Sequence, residues 1–303
     1  MDSSTQMILI MVTTTVLLPL LVGAGFTWLL TSKEARFSSE IGLAAALITS
    51  FCGIMSPSSL WSADAMKWLV WSPIFSVMMI EVASRLKWAQ GRAREGYFTL
   101  LLLLILSFCA YLLLSPLGGM WREGVNTPLL NEWLISAIFI AYLSLSSILN
   151  YAEVRPKITP AHLSGLALTC GIAGPLLGLS GSASLAQWIV AVGLSVAGVG
   201  LFALWRGITL SRSTFIMGYL SLSMTILYAH FYLVPSLPIG PAALLLCAPV
   251  AVRFYENEDA KPTRHIILTL IFTLVFALPA LLMVVVKSEA GEASTADEFG
   301  ASY

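Results

Sequence analysis

The chain has 303 residues, of which 58% are apolar and 11% charged, and its 16 basic residues balance 16 acidic ones. An ordinary soluble domain has roughly 25% charged residues, so this composition excludes a soluble globular enzyme, a disordered chain and a nucleic-acid binder that works through a basic surface. With no net charge, the electrostatic message lies in where the charges sit.

A helix needs about 20 apolar residues to cross ~30 Å of hydrocarbon. Ten segments approach that length: 7–30, 39–55, 68–84, 97–116, 132–151, 160–180, 183–205, 213–234, 238–254 and 265–286. Helices are the expected form because lipid offers backbone N–H and C=O groups no partner. The expected fold class is all-α: a polytopic bundle of about ten transmembrane helices, a single domain over 1–287. Residues 288–303 are small, polar and acidic, which predicts a disordered outer tail. The first segment follows Asp2 with no basic residue and runs long, so it reads as a retained helix rather than a signal peptide.

Basic residues collect in short cytoplasmic loops. Thirteen fall in alternate loops, from Lys33 and Arg36 through Arg85–Arg94, Arg155 and Lys157, Arg206 and Arg212, to Arg253–Arg264; Lys67, Arg122 and Lys287 lie in the others. That alternation predicts both termini outside, in a multi-pass plasma (inner) membrane protein. The absence of an Asn-x-Ser/Thr acceptor points to a bacterial one. Tryptophan prefers the headgroup level. Trp61, Trp68, Trp71, Trp121, Trp133 and Trp188 fall near outer ends, and Trp28, Trp88 and Trp205 near inner ends.

Ionisable groups inside a membrane are functional candidates by default. Eight acids fall outside and seven with the inner loops; Glu81 is the acid read as lying within a helix, four residues before Arg85. That spacing allows an interfacial ion pair or a coupling carboxylate. The four cysteines lie in separate segments without C-x-x-C spacing and read as small buried hydrophobes. No Walker A, H-E-x-x-H, haem-type or G-x-G-x-x-G string is present, so no cofactor or metal is expected.

Two strings in the sixth segment, Ala161-His162-Leu163-Ser164-Gly165 and Gly178-Leu179-Ser180-Gly181, resemble the histidine and serine motifs of rhomboid intramembrane proteases. Their order is reversed here, and residues 162 and 180 lie about 27 Å apart on one helix. A nucleophile and its base must come within about 3 Å, so no catalytic set follows and the chain is not read as an enzyme. Ser180 with His230 is a second pairing that topology alone permits.

Pro19 interrupts the first segment and Pro175 the sixth. In two inverted five-helix halves these would be matching broken helices, which point to a midplane site. Gly174 and Gly178 form a small-xxx-small step that suits either a tight hairpin with the seventh segment or a flexible path. The eighth segment carries Thr214, Ser221, Thr225, Tyr228 and Tyr232 on one face. A solute path would use Pro19, Pro175, Gly174, Gly178, Ser221, Thr225 and Tyr228. The sequence reading is therefore a transporter-like protein for a small neutral or amphipathic solute, with the lipid bilayer as its partner and no nucleic acid. The alternative is a structural or assembly subunit bound to other membrane subunits.

Overall fold

The computed structural model describes residues 3–31, 38–61, 65–84, 104, 107–108, 111–113, 157–208, 210–233, 237–249 and 262–300. They are nearly all helical. Helices α1 (Ser3–Val12) and α2 (Leu18–Thr31) are joined by a π-helical turn, Thr13–Leu17. Then come α3 (Ser38–Met55), α4 (Trp68–Ser84), α5 (Pro160–Leu179), α6 (Ala183–Arg206), α7 (Arg212–Tyr232), α8 (Ile239–Cys247) and α9 (Pro262–Gly300). The one sheet among the described residues pairs β1 (Lys157–Ile158) antiparallel with β2 (Leu210–Ser211).

Among the described residues, six spans are long and apolar enough to cross a membrane: Ile8–Thr31, Ser38–Met55, Pro160–Leu179, Ala183–Arg206, Arg212–Tyr232 and Arg264–Val286. These match six of the ten expected segments to within a residue or two. Helices α4 and α8 are the shorter counterparts of 68–84 and 238–254, and most of 97–116 and all of 132–151 lie outside the described residues. The chain is thus a membrane protein built from several long apolar helices. The helical backbone of α9 continues to Gly300, over the stretch whose composition predicts a disordered tail. That stretch is rich in Ala and Glu, both good helix formers.

The spans differ widely in burial, and apolarity does not set it: α6 is nearly as apolar as the first span but far more buried. The first and last spans are the most apolar and the least buried, with Ile8, Leu21, Phe26, Ile271, Val275 and Leu282 exposed. Helix α7 is the least apolar of the six, and 89% of it is buried against α3, α4, α5, α6 and α8. Lipid is as apolar as leucine, so outward-facing apolar side chains lose nothing there; the interior mixes large apolar side chains such as Phe51, Trp188 and Phe215 with glycines and hydroxylated residues.

The β1–β2 ladder joins the chain just before α5 to the chain just before α7. A hydrogen bond of 2.9 Å from Thr214 Oγ1 to Ser39 Oγ joins the first turns of α7 and α3. Helices α3, α5 and α7 therefore all begin at one end of the bundle. At the opposite end, Tyr232 Oη donates to the Leu113 carbonyl at 2.7 Å.

Glycines let backbones approach closely at α6. A Cβ on Gly193 would sit 2.9 Å from the Ala167 carbonyl of α5, and one on Gly200 would sit 3.3 Å from Leu163 Cβ. On another face, a Cβ on Gly198 would run into the Leu20 carbonyl of α2, while one on Gly23 of α2 would lie 2.8 Å from the Ser195 carbonyl. Gly207, at φ 65°, ends α6 in the left-handed conformation that favours glycine.

Gly198→Ala should destabilise the bundle by about 1–3 kcal/mol, since the obstructing atom is backbone. Gly171→Ala should be neutral or slightly stabilising, because nothing lies within 4 Å of the added carbon. Unfolding of the detergent-solubilised protein by SDS titration checks both.

Candidate functional site

The hydroxyl stripe of α7 is packed rather than open. Ser221 and Thr225 are fully buried, and each hydroxyl donates to the carbonyl four residues back, Met217 at 3.0 Å and Ser221 at 2.7 Å. Thr225 Oγ1 also accepts a hydrogen bond of 3.1 Å from Trp188 Nε1. Trp188 is fully buried and packs edge-on against Phe51, with centroids 5.5 Å apart. This corrects the headgroup placement of Trp188. Its position near a helix end gives its depth, while the side of the helix it occupies turns it into the core. Tyr228 stacks on Tyr232 at 4.4 Å. By contrast Trp61 is 79% exposed beside Trp71, and Trp28 and Trp205 are exposed in the last turns of α2 and α6.

The first span stays helical through Pro19, with a π-helical turn just before it. Proline has no N–H and its ring crowds the preceding turn. Here the Leu18 N–H reaches back five residues to the Thr13 carbonyl, which makes the π-helical turn. Pro19 is buried where α2 meets α6, and Thr15 within the turn is buried with no partner for its hydroxyl among the described residues. Such turns are often found at functional positions.

The other expected path residues do not join Pro19. Pro175 faces outward on α5, while Gly178, though exposed, lies beside Ala186 of α6. Gly174 is buried against Val190 and Ala186 of α6, so the small-residue step forms the tight α5–α6 hairpin. Glu81 is in helical backbone near the end of α4, but its side chain and all of Arg85 lie outside the described residues. Cys170 is buried, and Cys52 and Cys247 are half-buried, all as free thiols.

The regular turns of α8 run to Cys247, two residues before that described stretch ends. The last carbonyls of a helix lack intrahelical partners. One of them, Leu246 C=O, accepts a hydrogen bond of 2.8 Å from the buried Tyr219 Oη of α7.

Two of the three histidines, His162 and His230, have structural work, while His265 Nε2 is buried with no partner among the described residues. His162 Nδ1 lies 2.7 Å from Thr159 Oγ1 and accepts from the Thr159 N–H at 3.3 Å, closing a capping box at the start of α5. His230 Nδ1 bonds the Leu237 carbonyl at 2.6 Å, while Ser180 Oγ donates to the Leu176 carbonyl at 3.0 Å. The Ser180–His230 pairing is therefore not made.

Sequence reasoning missed Glu40. As the second residue of segment 39–55 it counts with the inner-loop acids, yet its side chain is only 6% exposed. Ser39 Oγ lies 2.9 Å from Glu40 Oε2, Ser211 Oγ bonds Oε1, and Thr214 Oγ1 reaches Ser39. The signal that could have found it is the hydroxyl-rich run Ser38-Ser39-Glu40 at one helix start together with Ser211-Arg212-Ser213-Thr214 at another.

No group of three or more His, Cys, Asp or Glu side chains suited to a metal occurs among the described residues. The chain matches no protein-family model, no curated protein and no solved structure.

Removing the Trp188–Thr225 bond should weaken the core measurably. A double-mutant cycle of Trp188→Phe and Thr225→Val should show a coupling energy of about 0.6–1.7 kcal/mol, the range for hydrogen bonds between membrane helices. SDS-titration unfolding of the two single variants and the double variant measures it.

Proposed function

We propose that this chain is a multi-pass protein of a bacterial plasma (inner) membrane that passes a small neutral or amphipathic solute across the bilayer. The observation that carries the reading is the π-helical turn just before the buried Pro19 in the first span, where the Thr15 hydroxyl is buried with no hydrogen-bond partner among the described residues. π-turns recur at functional positions, and a buried hydroxyl without a partner is a polar group on offer at membrane depth.

Ten crossings with both termini outside belong to this proposal. The common starting end of α3, α5 and α7 fits an odd number of crossings between α3 and α5. Helix α4 accounts for one, and segments 97–116 and 132–151 would supply two more. The distribution of basic residues assigns that starting end to the cytoplasm. No enzymatic role is proposed, and no cofactor is needed.

One observation favours a second reading, a structural or assembly subunit of a larger membrane complex. Ser221 and Thr225 are sealed, so the α7 stripe offers no open wall. A subunit would present the apolar outer faces of the first and last spans to lipid and to partner subunits.

Cysteine labelling decides between them. In a background with Cys52, Cys109, Cys170 and Cys247 replaced by alanine, single cysteines at positions 15, 221 and 225 are exposed to a membrane-impermeant maleimide in membrane vesicles, with Trp61→Cys as the exposed control. Transport predicts labelling of Thr15→Cys, more slowly than the control. Labelling of the control alone, on both sides of the vesicle membrane, would sink the transport reading in favour of the subunit.

A further inference from the structure

The π-helical turn Thr13–Leu17 changes which backbone donors reach which carbonyls. In a regular α-helix the Leu18 N–H would serve the Thr14 carbonyl, and the N–H of residue 19 the Thr15 carbonyl. Here the Leu18 N–H goes to the Thr13 carbonyl, and residue 19 is a proline with no N–H to give. Two successive carbonyls, those of Thr14 and Thr15, thus lose their α-helical donors.

The Thr15 side chain adds to them. The residue is 5% exposed, and its hydroxyl has no hydrogen-bond partner among the described residues. Thr14, Thr27, Thr49, Thr169 and Thr225 all return their hydroxyl hydrogens to carbonyls four residues back. Thr273 shares the exception of Thr15, but in regular α-helix with no register shift beside it. Burying a hydroxyl without a partner is destabilising, and valine would fill nearly the same volume without that cost.

The turn packs against α3 and α6, and on the α3 side a Cβ on Gly53 would lie 3.2 Å from Thr14 Cβ. Space is short, so a ligand must be small. It must also be neutral. The first span carries no charged residue, and the charges on α3 and α6, Glu40 and Arg206, lie at the end of the bundle where α2 finishes. An ion at Thr15 would face no countercharge from these helices, and burying one unpaired costs far more than burying a neutral polar group.

On offer are two acceptors that lack hydrogens and one hydroxyl that has a hydrogen to give. A primary carboxamide is the complement: its NH2 gives two hydrogens and its carbonyl accepts one. Urea carries the same set. A single alcohol group has one hydrogen to give and leaves a carbonyl unserved. Water matches by count and is what an amide would displace.

We propose that the Thr14–Thr15 step of the π-helical turn, with its two freed carbonyls and the unpartnered Thr15 hydroxyl, binds the amide group of a small neutral solute, a primary carboxamide or urea. This rests on the solute-path reading and names the class of solute.

Stopped-flow light scattering on liposomes holding the full chain tests it, with urea, acetamide and glycerol as probes and water flow recorded in the same vesicles. Each rate is taken over that of protein-free liposomes. Urea and acetamide should gain more than glycerol. Thr15→Val removes the hydroxyl at nearly constant shape, and Pro19→Ala returns an N–H to the Thr15 carbonyl. Each should slow amide entry about fivefold, the effect of one neutral hydrogen bond. In SDS-titration unfolding, Thr15→Val should be at least as stable as the wild type, so that slower entry is not loss of fold. Amide entry no faster than in protein-free liposomes, entry unchanged in Thr15→Val, a less stable Thr15→Val, or faster water flow without amide entry would each overturn the proposal. Glycerol gaining more than both amides would overturn the solute class and leave the path standing. Absence of maleimide labelling at Thr15→Cys would instead remove the path itself.

Discussion

Backbone-to-backbone approach at α6 is the constraint on which the rest of the bundle depends. Gly193 and Gly200 are seven residues apart and so share the face that meets α5, while Ser195 and Gly198 share the face that meets α2. A helix with small residues on two faces can be gripped from two sides at once. Within lipid there is no hydrophobic drive to bring helices together, so this closeness, and the dispersion contacts it allows, must supply the association. The crossing also fixes Pro19 and its π-helical turn against α6. Gly42 repeats the device one helix further out, where a Cβ would collide with the Thr27 hydroxyl.

Hydroxyls divide into two populations. Thr27, Thr49, Ser50, Ser76, Thr169 and Ser195 return their hydrogens to carbonyls four residues back in their own helices. These bonds satisfy the hydroxyls within their own helices. Among the described residues, side-chain bonds that join helices include Trp188 to Thr225, Tyr219 to Leu246, the bonds around Glu40, and Thr31 to Ser38 between α2 and α3, while Tyr232 reaches Leu113. All but the Thr31–Ser38 bond involve α7. The helix that is least apolar in sequence thus carries most of these links.

Helix positions were legible because the length of an apolar run is a one-dimensional property that the bilayer thickness fixes. The azimuth of each side chain was not. Trp188 has the depth of a headgroup tryptophan and the orientation of a core one. Pro175 and Pro19 look equivalent in sequence, yet one faces outward and the other lies under α6. Glu40 was hidden for a related reason. A charge at a helix start reads as interfacial until a second helix start, 171 residues away in sequence at Ser211, closes over it. Pro19 shows the opposite case, since a proline acts on its own helix and its local disturbance could be foreseen from the residue alone.

The π-helical turn at Thr13–Leu17 has a consequence for register. Such a turn accommodates one residue more than an α-helical path over the same rise. Each residue of an α-helix advances the direction of its side chain by about 100°. The face that α1 presents is therefore rotated by roughly that amount from the face that a straight continuation of α2 would present. The two stretches of one apolar span thus differ in burial: the side chains from Ile8 to Val12 are exposed, while Pro19, Gly23 and Thr27 beyond the turn are buried.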